Sequence, residues 1–287
     1  MSGSQIRSAE RVEKNRERGR ELGKEGELGV ERYRQMVAVL KKTAPAYEAY
    51  TEGVVALGKK QPDKALMLAD RAIGIEPREA LFYGLKGDAL EQQGNHAGAL
   101  TAYDKAVALD DGFFRHYLKR GVVKTELGDR AGAQQDLKRS LELLPTADAH
   151  YLLGQLALRE GDRATAISHF QSASHAPAGQ GRAAATALAR LDLSDHPERY
   201  IKSRLSINRA GVVLIQLDNP TAVAAQDVRV QLGESGAGGK VFVRAEYKLP
   251  GILGAGRSIT LQTDIRLADS RQLSRWGSRV VGAAVVE

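Results

Sequence analysis

The chain has 287 residues, no cysteine and a formal net charge of +7. That length predicts about two domains of roughly 100–200 residues each, and 43% hydrophobic residues supply enough apolar material for folded cores. The missing cysteine excludes disulfides, cysteine-ligated zinc and thiol catalysis, and no run approaches the roughly 18 apolar residues of a membrane span.

The positive charge is unevenly placed. Residues 1–44 hold 11 Lys/Arg against 7 Asp/Glu, residues 45–198 hold 18 against 21, and residues 199–287 hold 13 against 7. The two ends are basic and the middle is slightly acidic. Residues 1–7 (MSGSQIR) run straight into charge without an apolar h-region, so no signal peptide is expected in this chain.

Residues 1–44 read as a charged helical linker. Tyr33, Val37 and Leu40 make one apolar stripe. Gly19, Gly23, Gly26 and Gly29 each weaken a helix by roughly 1 kcal/mol, so a partly frayed helix is expected there.

Residues 45–197 are periodic. Glycines recur at Gly53, Gly87, Gly121 and Gly154, in steps of 34, 34 and 33 residues. Ala65, Ala99, Ala133 and Ala166 share those steps, as do Ala72, Ala106, Ser140 and Ala173. Gly94, Gly128 and Gly161 follow seven residues after the glycines of repeats two to four. Pro77, Asp110 to Gly112, Pro145 and Pro177 end the periods. This pattern is the tetratricopeptide repeat (TPR) signature, two antiparallel helices per repeat. The first glycine permits close helix approach, the alanines lie where helices meet, and the second glycine permits the turn. Leu57, Leu66, Ile73, Leu85, Leu90, Leu100, Tyr103, Val122, Leu127, Leu137, Leu141, Leu153, Leu156, Ile167 and Phe170 are the expected apolar filling. Four repeats are expected over about 46–177, and the Ala/Leu stripe of 180–192 predicts a helix capping the last.

After Ser194 to Pro197 the pattern changes. Tyr200–Ile207, Gly211–Leu217, Val228–Leu232, Lys240–Leu249, Ser258–Arg266 and Arg279–Val286 read as short strands, separated by turn-like stretches that include Gly233–Gly239 and Pro250–Arg257. The fold expected overall is an α + β multidomain chain. An all-α TPR solenoid is followed at 198–287 by a small antiparallel β-sandwich.

A search for chemistry finds little. His96, His116, His150, His169, His175 and His196 form no H-E-x-x-H and no H-x-x-x-H pair, so ordinary structural or surface histidines are expected and no metal site. The glycine-rich stretch at 251–256 matches no phosphate-binding loop, and position 237 is alanine where G-x-S-x-G needs glycine. The basic ends carry interleaved carboxylates and no aromatic platform, so nucleic-acid binding is the weakest reading.

What remains is the concave surface of the repeats. The first-helix positions that line it map to Tyr47, Tyr50 and Val54; Leu81, Leu85, Asp88 and Gln92; Arg115, Lys119, Val122 and Glu126; and Asp148, Tyr151, Gln155 and Arg159. Arg115 and Lys119 are suited to a partner's carboxylate and the tyrosines to covering its side chains. The same positions also fit a solvated groove, or one filled by another part of the same protein. Arg115 and Lys119 resemble the basic pair of the chaperone-tail clamp. Tyr50 and Val54 replace its first-repeat lysine and asparagine, so that clamp is not expected.

The stretches 44–50 (APAYEAY), 76–88 (EPREALFYGLKGD), 139–154 (RSLELLPTADAHYLLG) and 197–201 (PERYI) resemble the C-terminal half of bacterial HtpX/BepA-type zinc metallopeptidases with TPR repeats. Asn219-Pro-Thr followed by Val228 to Val230, and Leu249–Gly256 before a strand, are similar to that family's Ig/fibronectin-like tail. Residues 1–10 (MSGSQIRSAE) are similar to the segment after its catalytic domain. The resemblance implies a non-catalytic docking region at the cell envelope, in the periplasm, with a polypeptide or a peptidase domain as partner. It places zinc and the H-E-x-x-H helix in a domain upstream of this chain, so no catalytic or metal residue transfers to any position here. The alternative is that the chain serves as a functional part of such a metalloendopeptidase.

Overall fold

The structure is a computed structural model that describes residue 17 and residues 26–177, 179–236 and 241–286. The expected frayed start with Gly19 and Gly23, the 1–10 segment, the Leu40 side chain and the end of the 233–239 turn lie outside the described residues. Two compact units are present, one ending at Asp129 and one beginning at Arg130.

The first unit contains α1 (Gly26–Gly58), α2 (Pro62–Ile75), α3 (Ala80–Gln92), α4 (His96–Leu109) and α5 (Phe114–Glu126). The linker and the first repeat form one helix, α1, with Pro45 inside it. Proline has no N–H to give the carbonyl four residues back, so α1 runs through at the loss of one hydrogen bond. Small residues carry the helix contacts: Ala46, Ala49 and Ala72 pack with Leu68 and Phe82, and Ala56, Ala65 and Ala89 form a second cluster. Further on, Leu90, Ala99, Ala102, Tyr103 and Val123 join α3, α4 and α5.

The close approaches fall where the period places glycine. A Cβ on Gly87 would lie 2.5 Å from the Tyr103 ring, and one on Gly53 would lie 2.6 Å from Leu85 Cδ2. Between paired helices the chain turns through the left-handed region, at Gly94 (φ +77°), Gly128 (+82°) and Gly161 (+80°). The equivalent position of the first repeat is Lys60, with φ +56°. Caps begin the helices that follow: Asn95 Oδ1 accepts from Gly98 N at 3.0 Å and Asp162 Oδ1 from Thr165 N at 3.0 Å. Leu127, expected in the core, is exposed because it stands at the C-terminal end of α5.

The second unit starts with α6 (Arg130–Leu143), α7 (Ala147–Arg159), α8 (Arg163–Ser174), α9 (Gln180–Asp192) and the single turn α10 (Pro197–Tyr200). Gly154 and Phe170 repeat the Gly87 and Tyr103 relation, with 2.7 Å from a Gly154 Cβ to the ring. Ala184 and Leu188 of α9 share one core with Ala157, Ala166, Phe170 and Ala173, covering the apolar face of α8. Asp192, at the end of α9, is buried and bonded to His196 Nδ1 (2.8 Å), Arg199 Nη1 (3.2 Å) and Tyr200 Oη (2.9 Å). Burial pushes its carboxyl up, but the bonds from His196 and Tyr200 and the charge of Arg199 outweigh burial and hold it below the usual carboxylate range. Tyr200, expected to open a strand, therefore belongs to α10.

Six strands follow: β1 (Lys202–Ile207), β2 (Val212–Asp218), β3 (Ala225–Ser235), β4 (Val241–Lys248), β5 (Ser258–Arg266) and β6 (Trp276–Val285), with a short helix, α11 (Ser270–Leu273), before β6. They form two three-stranded antiparallel sheets, β1-β2-β5 and β4-β3-β6. Ile215 and Leu217 from the first and Val228, Val230, Leu232 and Val280 from the second meet in one core with Leu193 and Ile201. β3 continues through Gly233 to Ser235, past its expected end. The register shifts by one residue at Leu232/Gly233, and a Cβ on Gly233 would lie 2.6 Å from Val241 Cγ1. β6 begins at Trp276, three residues before its expected start, because it pairs with that extension of β3: Trp276 faces Glu234.

Two expectations follow. Lys60→Gly relieves a left-handed residue and raises stability by about 0.5–1 kcal/mol, net of glycine's greater freedom in the unfolded chain, read as a higher urea midpoint. Gly87→Ala drives a methyl into the Tyr103 ring and lowers stability by about 1–3 kcal/mol; an unchanged midpoint refutes the close approach.

Candidate functional site

The first unit holds a cavity of 270 Å³ lined by α1, α3, α4, α5 and the residue preceding α5. Tyr50, Leu85, Asp88, Arg115 and Lys119, all expected on the groove, line it together with Val54 and Leu81. Leu57, Gly84, Tyr103, Phe113 and His116 complete it. Val54 is exposed beside it and Leu85 is buried.

One wall is a charge network. The single proton of Tyr103 Oη is shared between Asp88 Oδ1 at 2.7 Å and Glu91 Oε2 at 2.9 Å. Arg115 Nη2 reaches Asp88 Oδ2 at 3.1 Å, and Lys119 Nζ lies 3.5 Å from Asp88 Oδ1 and 3.1 Å from Glu91 Oε2. Burial, followed by the charges of Asp88 and Glu91, drives the Tyr103 hydroxyl far above its ordinary pKa, so it remains a donor. Two cations thus face two carboxylates of their own unit. A partner's carboxylate meets a neutral cluster here, in which Arg115 is the more exposed cation, with 55% of its side chain open against 30% for Lys119.

The opposite wall is aromatic and apolar. Burial raises the Tyr50 hydroxyl, against the pull of Arg115. His116 is buried with its ring edge-on to Phe113 (4.9 Å between centroids), and among the described residues its Nε2 has no hydrogen-bond partner. Its ring lies against Gly84, where a Cβ would stand 3.0 Å from His116 Cε1. Burial holds this imidazole below its ordinary pKa, outweighing the pull of Asp110 and Asp88.

The remaining expected residues fall elsewhere. Tyr47 donates to Glu79 Oε2 at 2.6 Å, Gln92 Nε2 donates to Leu57 O at 3.4 Å, and Val122 is half-buried on α5 outside the cavity lining. Glu126 and Asp148 are exposed. Tyr151, Gln155 and Arg159 belong to the second unit, on α7. Gln155 Nε2 donates to Tyr151 Oη at 3.0 Å, the Tyr151 ring packs on Phe170, and Arg159 is exposed. Glu91, Tyr103, Phe113 and His116 were absent from the sequence-derived groove. The signal for Tyr103 was present, since it follows Gly87 by 16 residues as Phe170 follows Gly154.

The second unit also brings two histidines together. His150 Nδ1 on α7 and His169 Nδ1 on α8 are 3.0 Å apart, so one imidazole donates to the other. Burial lowers both pKa values, and for His169 the neighbouring His150 and Lys138 add to it. Among the described residues no group of three or more His, Cys, Asp or Glu side chains converges to hold a metal ion, and no helix is long and apolar enough to cross a membrane.

Comparison with known proteins matches residues 50–112 and 118–181 to the tetratricopeptide repeat family, and these segments are TPR repeats. A stretch of 92 residues is 32% identical to DnaJ homolog subfamily C member 7 of Homo sapiens and, equally, of Mus musculus; it spans 32% of this chain and 19% of either relative. The chain thus covers about a fifth of the length of these relatives. Among solved structures it is similar to MamA (21% identity, 48% of this chain and 82% of that one, TM-score 0.43). It is also similar to the first TPR of Spaghetti (RPAP3) bound to HSP90 peptide SRMEEVD (21% identity, 42% and 95%, TM-score 0.41).

The histidine pair sets a pH dependence. A base whose pKa is lowered by folding leaves the unfolded chain binding more protons, so its stabilising contribution is complete above about 6.5 and drains away as pH falls toward the folded value. Thermal midpoints are expected to drop between pH 7.5 and 5.5. The drop should be smaller in the His150→Gln, His169→Gln double variant, with His116 supplying the remainder; equal slopes refute this assignment.

Proposed function

We propose that the chain is a polypeptide-docking module whose principal contact is the cavity of the first unit. The observation that carries this reading is the pairing of an apolar recess with a neutral, self-satisfied charge cluster on one accessible face. At 270 Å³ the recess falls below the roughly 300–1,000 Å³ of small-molecule sites. That size suits a single side chain of an extended polypeptide, inserted between Tyr50, Val54 and Phe113. Arg115 adds a hydrogen bond to the passing backbone or to a side chain. The cavity contributes apolar burial, and its charges contribute orientation.

The sequence resemblance supports a finer reading: the docking region serves an HtpX/BepA-type peptidase at the cell envelope, handing it polypeptide. Chemistry then belongs to a separate zinc-bearing domain, and the residues described here supply contact only. A calorimetric titration with an isolated peptidase domain of that type tests this part: micromolar binding supports it and no heat of binding refutes it.

The docking reading itself is tested with a permanently unfolded probe, reduced and carboxymethylated lactalbumin, labelled for fluorescence anisotropy. Val54→Arg places a charge at the 46%-exposed mouth and should weaken binding at least tenfold while the circular dichroism stays unchanged. Arg115→Ala, which removes the exposed guanidinium, should weaken binding by less than Val54→Arg does. Wild-type affinity in a folded Val54→Arg variant refutes the cavity as the contact.

A further inference from the structure

The contact between His150 and His169 lies in the second unit, on residues that the docking reading does not use. The two Nδ1 atoms are 3.0 Å apart and the ring centroids 5.3 Å apart. Each histidine stands on its own helix, His150 on α7 and His169 on α8.

The next residue along each helix holds this geometry in place. Tyr151 packs on Phe170 with 5.7 Å between ring centroids. Phe170 is buried, and its ring lies on the α7 backbone at Gly154, where a Cβ would stand 2.7 Å from it. Two helices locked at that contact carry the neighbouring imidazoles to a set separation. Both histidines are only half-buried, so an ion reaches them from solvent.

The chemistry of the pair is that of a chelate. Neutral imidazole nitrogen is the commonest protein ligand for transition metals. Burial lowers both pKa values, with His150 and then the exposed Lys138 of α6 adding to it for His169, so at neutral pH an ion has no proton to displace from either ring. One imidazole of the free pair carries its proton on Nδ1 and donates it to the other. Moving that proton to Nε2 of the same ring leaves both Nδ1 lone pairs free for an ion, with no change in charge.

The separation selects the ion. With metal–nitrogen bonds of about 2.0–2.1 Å, nitrogens 3.0 Å apart subtend about 90° at the metal. That is the angle between adjacent ligands in the square-planar or tetragonal geometry of Cu²⁺ and Ni²⁺, and it is narrower than the roughly 109° of tetrahedral Zn²⁺. No group of three such side chains converges among the described residues, so water fills the other positions.

We infer that His150 and His169 form a two-histidine site for Cu²⁺ or Ni²⁺ that bridges α7 and α8 within the fourth repeat.

The test titrates the full chain, free of any polyhistidine tag, with nickel chloride in a calorimeter at pH 7.5. One equivalent should bind to wild type and raise its thermal midpoint, because the ion holds the pair only when it is folded. His150→Gln and His169→Gln should each weaken binding at least tenfold, while His175→Gln, at an exposed position beyond α8, should bind like wild type. Copper-loaded wild type should show electron paramagnetic resonance splitting from two imidazole nitrogens, a readout that does not depend on how the variants fold. No saturable binding to wild type, wild-type affinity in both folded glutamine variants, or a copper spectrum with fewer than two imidazole nitrogens would each overturn the inference.

Discussion

The missing Cβ at Gly87 is the constraint on which the first unit's site depends. It lets the Tyr103 ring lie directly on α3, at a distance that a methyl group would reduce to 2.5 Å. That seating carries the Tyr103 hydroxyl to Asp88 and Glu91, one and four residues beyond the glycine. Those carboxylates then hold Arg115 and Lys119, which come from α5. A packing requirement in the repeat is thus the origin of an electrostatic one, and the side chains that orient the cavity wall are fixed by a close helix contact. The same geometry recurs in the fourth repeat without the chemistry. Gly154 seats Phe170, which has no hydroxyl, and the positions equivalent to Asp88 and Glu91 are Gln155 and Leu158. The ring hydroxyl and both carboxylates are therefore absent together in the fourth repeat, as expected of a network that is costly when half complete.

Neutrality gives the cavity a different character from a charged clamp. Arg115 and Lys119 read, on their own, as a receptor for a partner's carboxylate. Placed against Asp88, Glu91 and a protonated Tyr103, they form a closed set whose members satisfy one another. A new carboxylate would have to displace one already held in a geometry the fold has fixed, and an exposed ion pair returns only about 0–1 kcal/mol. Apolar insertion beside that set leaves every charge paired, so in the proposed contact burial against Tyr50, Phe113 and Leu81 would be the larger source of affinity.

Much of the architecture was legible because packing repeats leave periodic residues. Glycine and alanine at a 34-residue step located the helices, and alternation with turn residues located the strands of both sheets. What escaped has physical causes. Residues 1–44 read as a linker separate from the repeats, yet one helix, α1, runs from the linker through Pro45 into the first repeat. The extension of β3 through Gly233 depends on a register shift that exists only between two strands. Tyr200 alternates like a strand residue but is captured by buried Asp192, a tertiary contact that local pattern does not show. In the site, first-helix positions of the repeat pointed to Tyr50, Leu85, Asp88, Arg115 and Lys119. They could not point to Tyr103, which comes from a second helix, or to Phe113, which precedes one. His150 and His169 meet for the same reason: 19 residues separate them in sequence, and only the helix pair brings them to 3.0 Å.

The helical repeats and the sheets solve the burial problem in opposite ways, and that difference decides where each is open. A helix satisfies its own backbone, so the repeats leave side-chain surfaces for contact: a recess, a rim and a charge cluster. A sheet satisfies its backbone only through neighbours, so its ends stay chemically unfinished unless something closes them. In the second unit the β1 and β6 ends approach each other, while β4 and β5 each end a sheet. The proposed extended polypeptide suits the recess of the repeats, since it presents side chains to it at regular intervals.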